Sequence, residues 1–321
     1  FSAEAKATIA RALDDLGMPI EQWREHLDGG QELDLERFAD HIAAEHLPHA
    51  VLIDCTADAG VAANYERWLA RGIHIVTPNK KANSGPFDAY EAIRRAGRRS
   101  GAHYFYEANV GAGLPVVLTL RDLRETGDRV RSIEGIFSGT LAYLFNRHDG
   151  SVPFSAIVRE ARERGFTEPD PREDLSGLDV ARKLIILGRE MGLQLELSDV
   201  EVESLVPQGF EQLSVEEFLE RLPEIDPEMN ELLRTTRAEG RVLRYVGQLS
   251  EDGSASVGVV GIDADHPFAN VALTDNIVRF VTDRYSDNPL IVQGPGAGAE
   301  VTAAGVFGDL LRLATYIGAR L

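Results

Sequence analysis

The chain has 321 residues, and at roughly 150 residues per domain this length predicts about two domains. Hydrophobic residues make up 44% and charged residues 26%, a balance typical of globular proteins and not of disordered or membrane-embedded chains. Asp and Glu number 52 against 33 Lys and Arg, and the resulting net charge of −19 repels nucleic-acid phosphates and anionic lipid headgroups, so we expect neither nucleic acid nor a membrane as a partner.

The first part of the chain has the pattern of a parallel sheet with connecting helices. The opening stretch is predicted to be a polar, helix-prone connector, so we expect the chain as given to begin inside a domain. Apolar runs predict strands, and amphipathic segments between them predict helices. The strands are expected at 50–56, 73–76 and 104–106, and the helices at 61–69 and 86–99. Residues 1–110 are therefore predicted to form the later part of a doubly wound, Rossmann-like nucleotide-binding domain, truncated at its start.

The second part of the chain, residues 111–299, mixes helices with a different kind of sheet. Helices are expected at 115–126, from 138 onward, at 154–164, from about 176 to 191 and within the acidic stretch 206–240. Strands separated by turn residues are expected at 130–137, 242–246, 256–260, 278–281 and 290–292. This pattern predicts an α+β domain with a mainly antiparallel sheet. A final helix within 300–321 is expected to pack back on the first domain.

Cysteine content and the length of the apolar runs further restrict the class of protein to which the chain can belong. Cys55 is the only cysteine, which excludes an intramolecular disulfide and a cysteine zinc cluster and favours a reducing cytosol as the location. The longest apolar runs fall short of the ~20 residues that a bilayer-spanning helix needs.

The most informative segment is 165–183, in which a proline-stiffened acidic loop leads into a helix. Asp179 and Lys183 are four residues apart on one face of that helix. Such a pair is usually solvated and contributes only about 0.3 to 0.5 kcal/mol. Here apolar residues cover most of the helix surface, so the helix is expected to be largely buried. A buried lysine needs a partner or a function.

Two segments follow predicted parallel strands at the edge where doubly wound sheets bind ligands. Lys80 lies in the segment 77–83 directly after a strand, where it could neutralise a phosphate or a carboxylate, and the alternative is a basic turn. Thr56 ends the preceding strand and is similarly placed to contact a nucleotide.

Two glycine-rich segments are candidates for ligand contact. In 107–115, alternating glycines allow backbone carbonyls to converge with the Glu107 carboxylate on a hard cation, and the alternative is a hinge between domains. Residues 294–299 match Gly-x-Gly-x-x-Ala weakly, because too few residues follow to complete a dinucleotide-binding unit. Close helix packing explains these last glycines equally well.

Together these segments resemble homoserine dehydrogenase. The segments that carry the resemblance run in the family's order over nearly the whole chain, at 77–81, 109–115, 135–141, 165–183 and 301–306. Segment 243–247 is more similar to the dehydrogenase half of a bifunctional aspartokinase/homoserine dehydrogenase than to the single-function enzymes. The resemblance implies reversible reduction of L-aspartate 4-semialdehyde to L-homoserine with NADPH or NADH, a step towards threonine and methionine.

The resemblance also implies roles for the acidic loop and its helix. Lys183 would protonate the carbonyl oxygen as hydride arrives, and Asp179 would hold and tune that lysine. A cation beside a developing alkoxide stabilises the transition state more than the neutral aldehyde. Glu168 and Asp174 would bind the substrate ammonium, and Gly165 would shape the pocket.

The family's cofactor and sodium sites map onto the other segments. Lys80 and Thr56 would contact NADP or NAD, Lys80 would also contact the substrate, and Gly296 or Gly298 would close over the cofactor. The implied sodium site consists of one acidic residue and three neighbours that contribute backbone carbonyls: Glu107, Val110, Ala112 and Leu114. Residues 111–299 would then be a substrate-binding and dimerisation domain, and the implied assembly is a homodimer or a larger homo-oligomer.

The sequence departs from the family pattern at two places. Glu173 stands where many relatives have aspartate. Family members begin the nucleotide-binding domain with a strand and a Gly-x-Gly-x-x-Gly turn, and if the molecule begins at Phe1, cofactor binding is expected to be weak or absent. Two alternatives therefore stay open, a catalytically inactive fragment that serves as a dimerisation module and a nicotinamide enzyme for another amino-acid aldehyde.

Overall fold

The computed structural model describes residues 34–43, 46 and 48–318. The connector predicted at the start of the chain lies outside these residues. The helices are α1 (Leu35–Ile42), α2 (Ala59–Ala62), α3 (Tyr65–Ala70), α4 (Lys81–Ser84), α5 (Phe87–Ser100), α6 (Val116–Glu125), α7 (Gly139–Arg147), α8 (Phe154–Glu163), α9 (Pro171–Leu175), α10 (Leu178–Met191), α11 (Val215–Arg221), α12 (Asp226–Ala238) and α13 (Ala299–Tyr316). The strands are β1 (Ala50–Ile53), β2 (Ile73–Val76), β3 (Tyr104–Phe105), β4 (Val130–Ile136), β5 (Val200–Val202), β6 (Arg241–Ser250), β7 (Ala255–Asp263), β8 (Asp275–Thr282) and β9 (Leu290–Pro295).

The first sheet confirms the predicted parallel arrangement. Its described strands lie in the order β1-β2-β3, and both pairings are parallel. Every residue of the central strand β2 is buried, as expected for a strand with helices on both faces. Trp68 and Leu69 of α3 belong to the core on one side of the sheet. Val306 and Leu313 of α13 pack with Val76 on the other side.

The second sheet is mainly antiparallel, as predicted. Its order is β5-β7-β6-β4-β8-β9, and every neighbouring pair is antiparallel except β5 with β7. The sequence pattern did not predict β5, which is only three residues long and lies at the edge of the sheet. The main hydrophobic core joins this sheet to its helices and includes the buried side chains of Phe137, Leu184 and Phe280.

Two predicted helices differ in detail from the observed ones. The segment predicted as one helix at 61–69 is divided into α2 and α3. Asn64 lies between them, and its Nδ2 donates to the carbonyl of Gly60 at 2.7 Å, which competes with a continuous helix. The helix predicted from 176 begins at Leu178, because Gly177 has φ of 71° and separates it from α9.

The final helix α13 returns to the parallel sheet through a close backbone contact. A Cβ on Gly305 would lie 2.7 Å from the carbonyl oxygen of Ala112, and a Cβ on Gly113 would lie 2.6 Å from that of Val301. Glycine at both positions therefore lets the helix cross the chain where the two predicted domains meet. Among the described helices, none has the length and apolar character to cross a lipid bilayer.

Candidate active site

A cavity of about 650 Å³ lies between the carboxyl edge of the parallel sheet and the helices of the second sheet. This volume is within the range of small-molecule sites. Most of the predicted substrate, catalytic and cofactor residues line it together: Lys80, Gly165, Glu168, Asp174, Asp179, Lys183, Gly296 and Gly298. Ala112 also lines the cavity, whereas Thr56 is not among the lining residues. Segments far apart in sequence thus converge on one cavity.

Lys183 is held by two acceptors on the cavity wall. Its side chain is 10% exposed, and its Nζ lies 2.8 Å from Asp179 Oδ2 and 2.6 Å from the carbonyl oxygen of Phe137. The four-residue spacing on α10 accounts for the first contact. The second comes from the end of β4. An ammonium has three N–H donors, and among the described residues no third acceptor contacts this one, so one donor is left for a ligand.

Asp179 joins Lys183 to the parallel sheet. Its Oδ1 lies 3.2 Å from Lys80 Nζ, and its Oδ2 accepts from Lys183. Burial alone would raise the pKa of Asp179, but the ammonium groups of Lys183 and Lys80 outweigh burial and hold that pKa below its ordinary value. One carboxylate therefore bridges Lys183 of α10 and Lys80 on the turn after β2.

The pKa of the Lys183 ammonium is lowered from its ordinary value. Burial is the main cause, Asp179 opposes it, and the nearby charge of Lys80 lowers the pKa further. A lysine with a lowered pKa gives up its proton more readily, which suits a group that exchanges a proton with a substrate.

Hydrogen bonds hold the acidic loop in shape, and some of its carboxylate residues line the cavity. Asp170 caps α9 by accepting from the backbone N–H of Arg172 at 3.0 Å, so its role is structural. Asp174 accepts from the backbone N–H of Glu168 and from Thr140 Oγ1, both at 2.8 Å. Burial raises the pKa of Asp174. The Glu168 residue itself is exposed and lines the cavity.

A buried polar network positions the turn that carries Lys80. Asn79 Nδ2 donates to Asp54 Oδ2 at 3.0 Å, and Thr77 Oγ1 donates to the carbonyl of Asp54 at 2.7 Å. The same aspartate accepts from the backbone N–H of Thr56 at 2.8 Å. The ends of β1 and β2 are thus tied together, which fixes Lys80 at the cavity and leaves Thr56 on the neighbouring turn.

The four residues of the predicted sodium site lie around the start of α6. Glu107 is buried, and its two carboxylate oxygens accept from the backbone N–H groups of Val117 and Leu118 at 2.9 and 2.8 Å. Burial raises the pKa of Glu107 to about 7, these two N–H groups oppose the change, and Asp309 reinforces it. Ala112 has a left-handed backbone with φ of 53°. No group of three or more His, Cys, Asp or Glu suited to a metal occurs in the described part of the chain.

Sequence reasoning missed two groups that support the site. Thr140, which orients Asp174, lies in the segment 135–141 that carried the family resemblance, but its contact with the acidic loop has no local signal. The carbonyl of Phe137 also has no sequence signal, because a backbone oxygen is present at every residue.

The parallel sheet, with a paired, buried lysine in the cavity at its carboxyl edge, defines this chain as an α/β protein of the class that binds ligands at the carboxyl ends of its strands. Residues 20–107 match the family model of the homoserine dehydrogenase NAD-binding domain, and residues 115–311 match the homoserine dehydrogenase model. The chain belongs to the homoserine dehydrogenase family.

Individual relatives agree with this family. The chain is 54% identical to a chloroplastic bifunctional aspartokinase/homoserine dehydrogenase 1 of Zea mays over 96% of its own length, but it covers only 34% of that protein. It is 45% identical to the homoserine dehydrogenase of Schizosaccharomyces pombe, with 89% of this chain and 78% of that protein covered. A solved Candida auris protein of unknown function superposes with a TM-score of 0.86 at 37% identity, covering 97% of this chain and 96% of that one. The chain thus spans about a third of the length of the plant relative.

Proposed function

We propose that this chain interconverts L-aspartate 4-semialdehyde and L-homoserine with NADPH or NADH as the hydride carrier. The observation that carries the proposal is the buried Lys183 ammonium, which is fixed by Asp179 on a cavity wall and has one N–H donor without an acceptor in the described part of the chain. The nicotinamide supplies or accepts the hydride when it is bound. All other parts of the reaction fall to the chain's own side chains.

Lys183 provides the proton in the reductive direction. As the aldehyde carbon becomes tetrahedral, negative charge develops on its oxygen, and the free N–H of Lys183 stabilises this charge and then transfers its proton. In the oxidative direction the neutral amine accepts the hydroxyl proton of homoserine. Asp179 holds Nζ in place, and its negative charge opposes the lowering of the Lys183 pKa by burial.

The substrate's own charges match the cavity. The α-ammonium of aspartate semialdehyde would bind Glu168, whose backbone N–H is fixed by Asp174. Its carboxylate would bind near Lys80, which also faces the cofactor side of the cavity. Gly165 adds no side chain to this wall. A zwitterionic amino acid is therefore favoured over a simple aldehyde.

The cofactor would lie at the carboxyl edge of the parallel sheet. The residues present suit a dinucleotide, since Lys80 offers a positive charge there and Thr56 offers a hydroxyl on the adjacent turn. Gly296 and Gly298 line the same cavity, and Gly298 has φ of 119°, a conformation that residues with a Cβ rarely adopt. These two glycines would allow the backbone to approach the cofactor closely.

A sodium ion at Glu107, Val110, Ala112 and Leu114 remains a prediction. Its support is an all-oxygen donor set of the kind hard cations prefer, together with a buried carboxylate whose pKa is raised and which a cation would stabilise in its charged form. A homodimer and a reducing compartment such as the cytosol are likewise proposals, the second supported by the single exposed Cys55.

The proposed reaction is tested by following NADPH consumption with aspartate semialdehyde and with succinate semialdehyde, which differs only in lacking the ammonium group. We expect turnover with the first, and a kcat/KM at least about 100-fold lower with the second, because the acidic loop would be left without its partner. The absence of turnover with aspartate semialdehyde would overturn the proposal and favour the inactive-module alternative. Equal kcat/KM values would favour a different aldehyde.

A further inference from the structure

Asn276 shares an acceptor with the proposed proton donor. It lies in β8 and is completely buried. Its Nδ2 lies 3.2 Å from the carbonyl oxygen of Phe137, the same oxygen that accepts from Lys183 Nζ at 2.6 Å. A carbonyl oxygen has two lone pairs, so it can accept from both groups at once.

The orientation of the Asn276 amide is fixed by its neighbours. Its Nδ2 also lies 3.5 Å from the carbonyl oxygen of Gly296, and only the nitrogen end of the amide can face two carbonyl oxygens. The other end, Oδ1, is buried and has no hydrogen-bond partner among the described residues. Burial of an unpaired amide oxygen costs free energy, so a residue kept at that cost needs another reason to be there.

The same amide supports the glycine segment that lines the cavity. A Cβ on Gly296 would overlap the amide of Asn276, so these two residues are in direct contact. Gly296 and Lys183 both line the cavity. Asn276 therefore lies behind the cavity, in contact with both the anchor of the proton donor and the segment assigned to the cofactor.

We propose that Asn276 is a positioning residue that holds the Phe137 carbonyl so that it anchors Lys183 in its reactive orientation, an inference that rests on the proposed function of Lys183. Phe137 follows the last residue of β4 and precedes Ser138, the N-cap of α7. Its carbonyl is thus at a point where the chain leaves the sheet. The Asn276 amide occupies one lone pair and directs the other towards Nζ. With Nζ held by two acceptors, the third N–H is directed at the substrate oxygen.

The first test is Asn276→Leu, which keeps similar volume and removes both polar ends of the amide. We expect kcat for aspartate semialdehyde reduction to fall about 10- to 100-fold with KM nearly unchanged, because misplacement of the donor affects the transition state more than binding. The melting temperature should stay the same or rise, since the unpaired Oδ1 is removed. Asn276→Ala, which adds no bulk, must show the same effect, a lowered kcat with KM nearly unchanged.

The matched control is Thr282→Val in the same strand. Thr282 is also completely buried and donates one hydrogen bond, to Asp128 Oδ2 at 2.8 Å, but it does not line the cavity. We expect its kcat to equal that of the wild type. An active wild type with unchanged kcat in both Asn276 variants would overturn the inference while leaving the proposed function intact.

A second readout does not depend on turnover. The sequence contains four lysines, so a protein labelled with ¹³C at lysine Cε gives few signals, and Lys183→Arg identifies the one from Lys183. We expect the two Cε protons of Lys183 to be inequivalent in the wild type and in Thr282→Val, because Nζ is fixed. In Asn276→Leu they should become equivalent as Nζ gains mobility. An unchanged Lys183 signal in Asn276→Leu would overturn the inference even if the wild type proved inactive.

Discussion

At the scale of single residues, the site depends on how burial and charge act on one ammonium group. Spacing on a helix was enough to predict that Asp179 pairs with Lys183, because residues four apart face each other. The addition of Lys80 to the same carboxylate could not be predicted, since it depends on how the two sheets are placed. The contact of Asn276 with the Phe137 carbonyl could not be predicted either, because neither group has a recognisable sequence pattern around it.

The lowered pKa of Lys183 gives opposite pH dependence in the two directions of the reaction. The reductive direction of the proposed reaction needs the protonated form, so its kcat/KM should fall as pH rises through a pKa below the ordinary lysine value of about 10.4. The oxidative direction needs the neutral form, so its kcat/KM should rise through the same pKa. Profiles of kcat/KM against pH in both directions measure this, and a reductive kcat/KM that stays constant up to that ordinary value would contradict it.

At the scale of elements, glycine and polar side chains decided where the predicted boundaries were wrong. Most helices were predicted within two residues, because their apolar periodicity is strong, whereas the strands after α10 that were predicted extend up to four residues beyond the predicted apolar runs. The acidic loop and α10 are separated at Gly177, whose left-handed backbone reorients the chain before Asp179. Strand β5 was missed because three residues at a sheet edge give no readable alternation.

The junction at Gly177 should be intolerant of a side chain. A Cβ there would overlap Tyr245 Oη, which donates to the carbonyl of Glu203 at 2.6 Å, and would lie 3.2 Å from Val202 Cγ1. We expect Gly177→Ala to lower the free energy of unfolding by about 3 kcal/mol, from backbone strain and overpacking together.

Gly127→Ala is the control for this substitution. Gly127 has a similar φ of 79°, but a Cβ there would meet no atom of the described residues within 4 Å. The free energy of unfolding of Gly127→Ala should fall by only about 1 kcal/mol, the cost of a left-handed backbone conformation. Urea unfolding measures both variants, and equal losses would show that the contact with Tyr245 is unimportant.

At the scale of the whole molecule, the helix that carries Lys183 is tied to the parallel sheet by a buried ionic cluster. Glu190 near the end of α10 lies 3.0 Å from Arg121 Nε of α6 and 3.7 Å from Arg94 of α5, and it accepts from the hydroxyl of Tyr106. The sequence predicted both sheets, but it could not predict this connection, because its members are distant in the chain.

Removal of the Glu190 charge should destabilise the connection between the sheets. Glu190→Gln leaves two arginines beside a buried neutral group, and we expect a loss of about 3 kcal/mol in the free energy of unfolding near neutral pH. Burial alone would raise the pKa of Glu190, but Arg121 and Arg94 hold it below its ordinary value. The stabilisation is thus present above the ordinary glutamate pKa and is lost as pH falls through the lowered one.

The control for this change is Glu231→Gln, which removes an exposed partner of Arg234 at 2.6 Å. An exposed pair of this kind contributes at most about 1 kcal/mol. In denaturant unfolding at neutral pH, Glu190→Gln should therefore lose more free energy of unfolding than Glu231→Gln. The loss in Glu190→Gln should become smaller in acid. A deficit that is equal for the two variants, or independent of pH, would contradict the role of the buried cluster.

The most direct test of the proposed chemistry is the reductive kcat of Lys183→Ala, measured with and without added methylammonium. We expect a fall of about 10²- to 10⁴-fold, the usual contribution of a positioned general acid, and partial recovery when methylammonium replaces the missing group. Lys81, the exposed first residue of α4, provides the control, and Lys81→Ala should retain wild-type turnover. A Lys183→Ala protein that turns over as fast as the wild type would contradict the assignment of Lys183 as the proton donor.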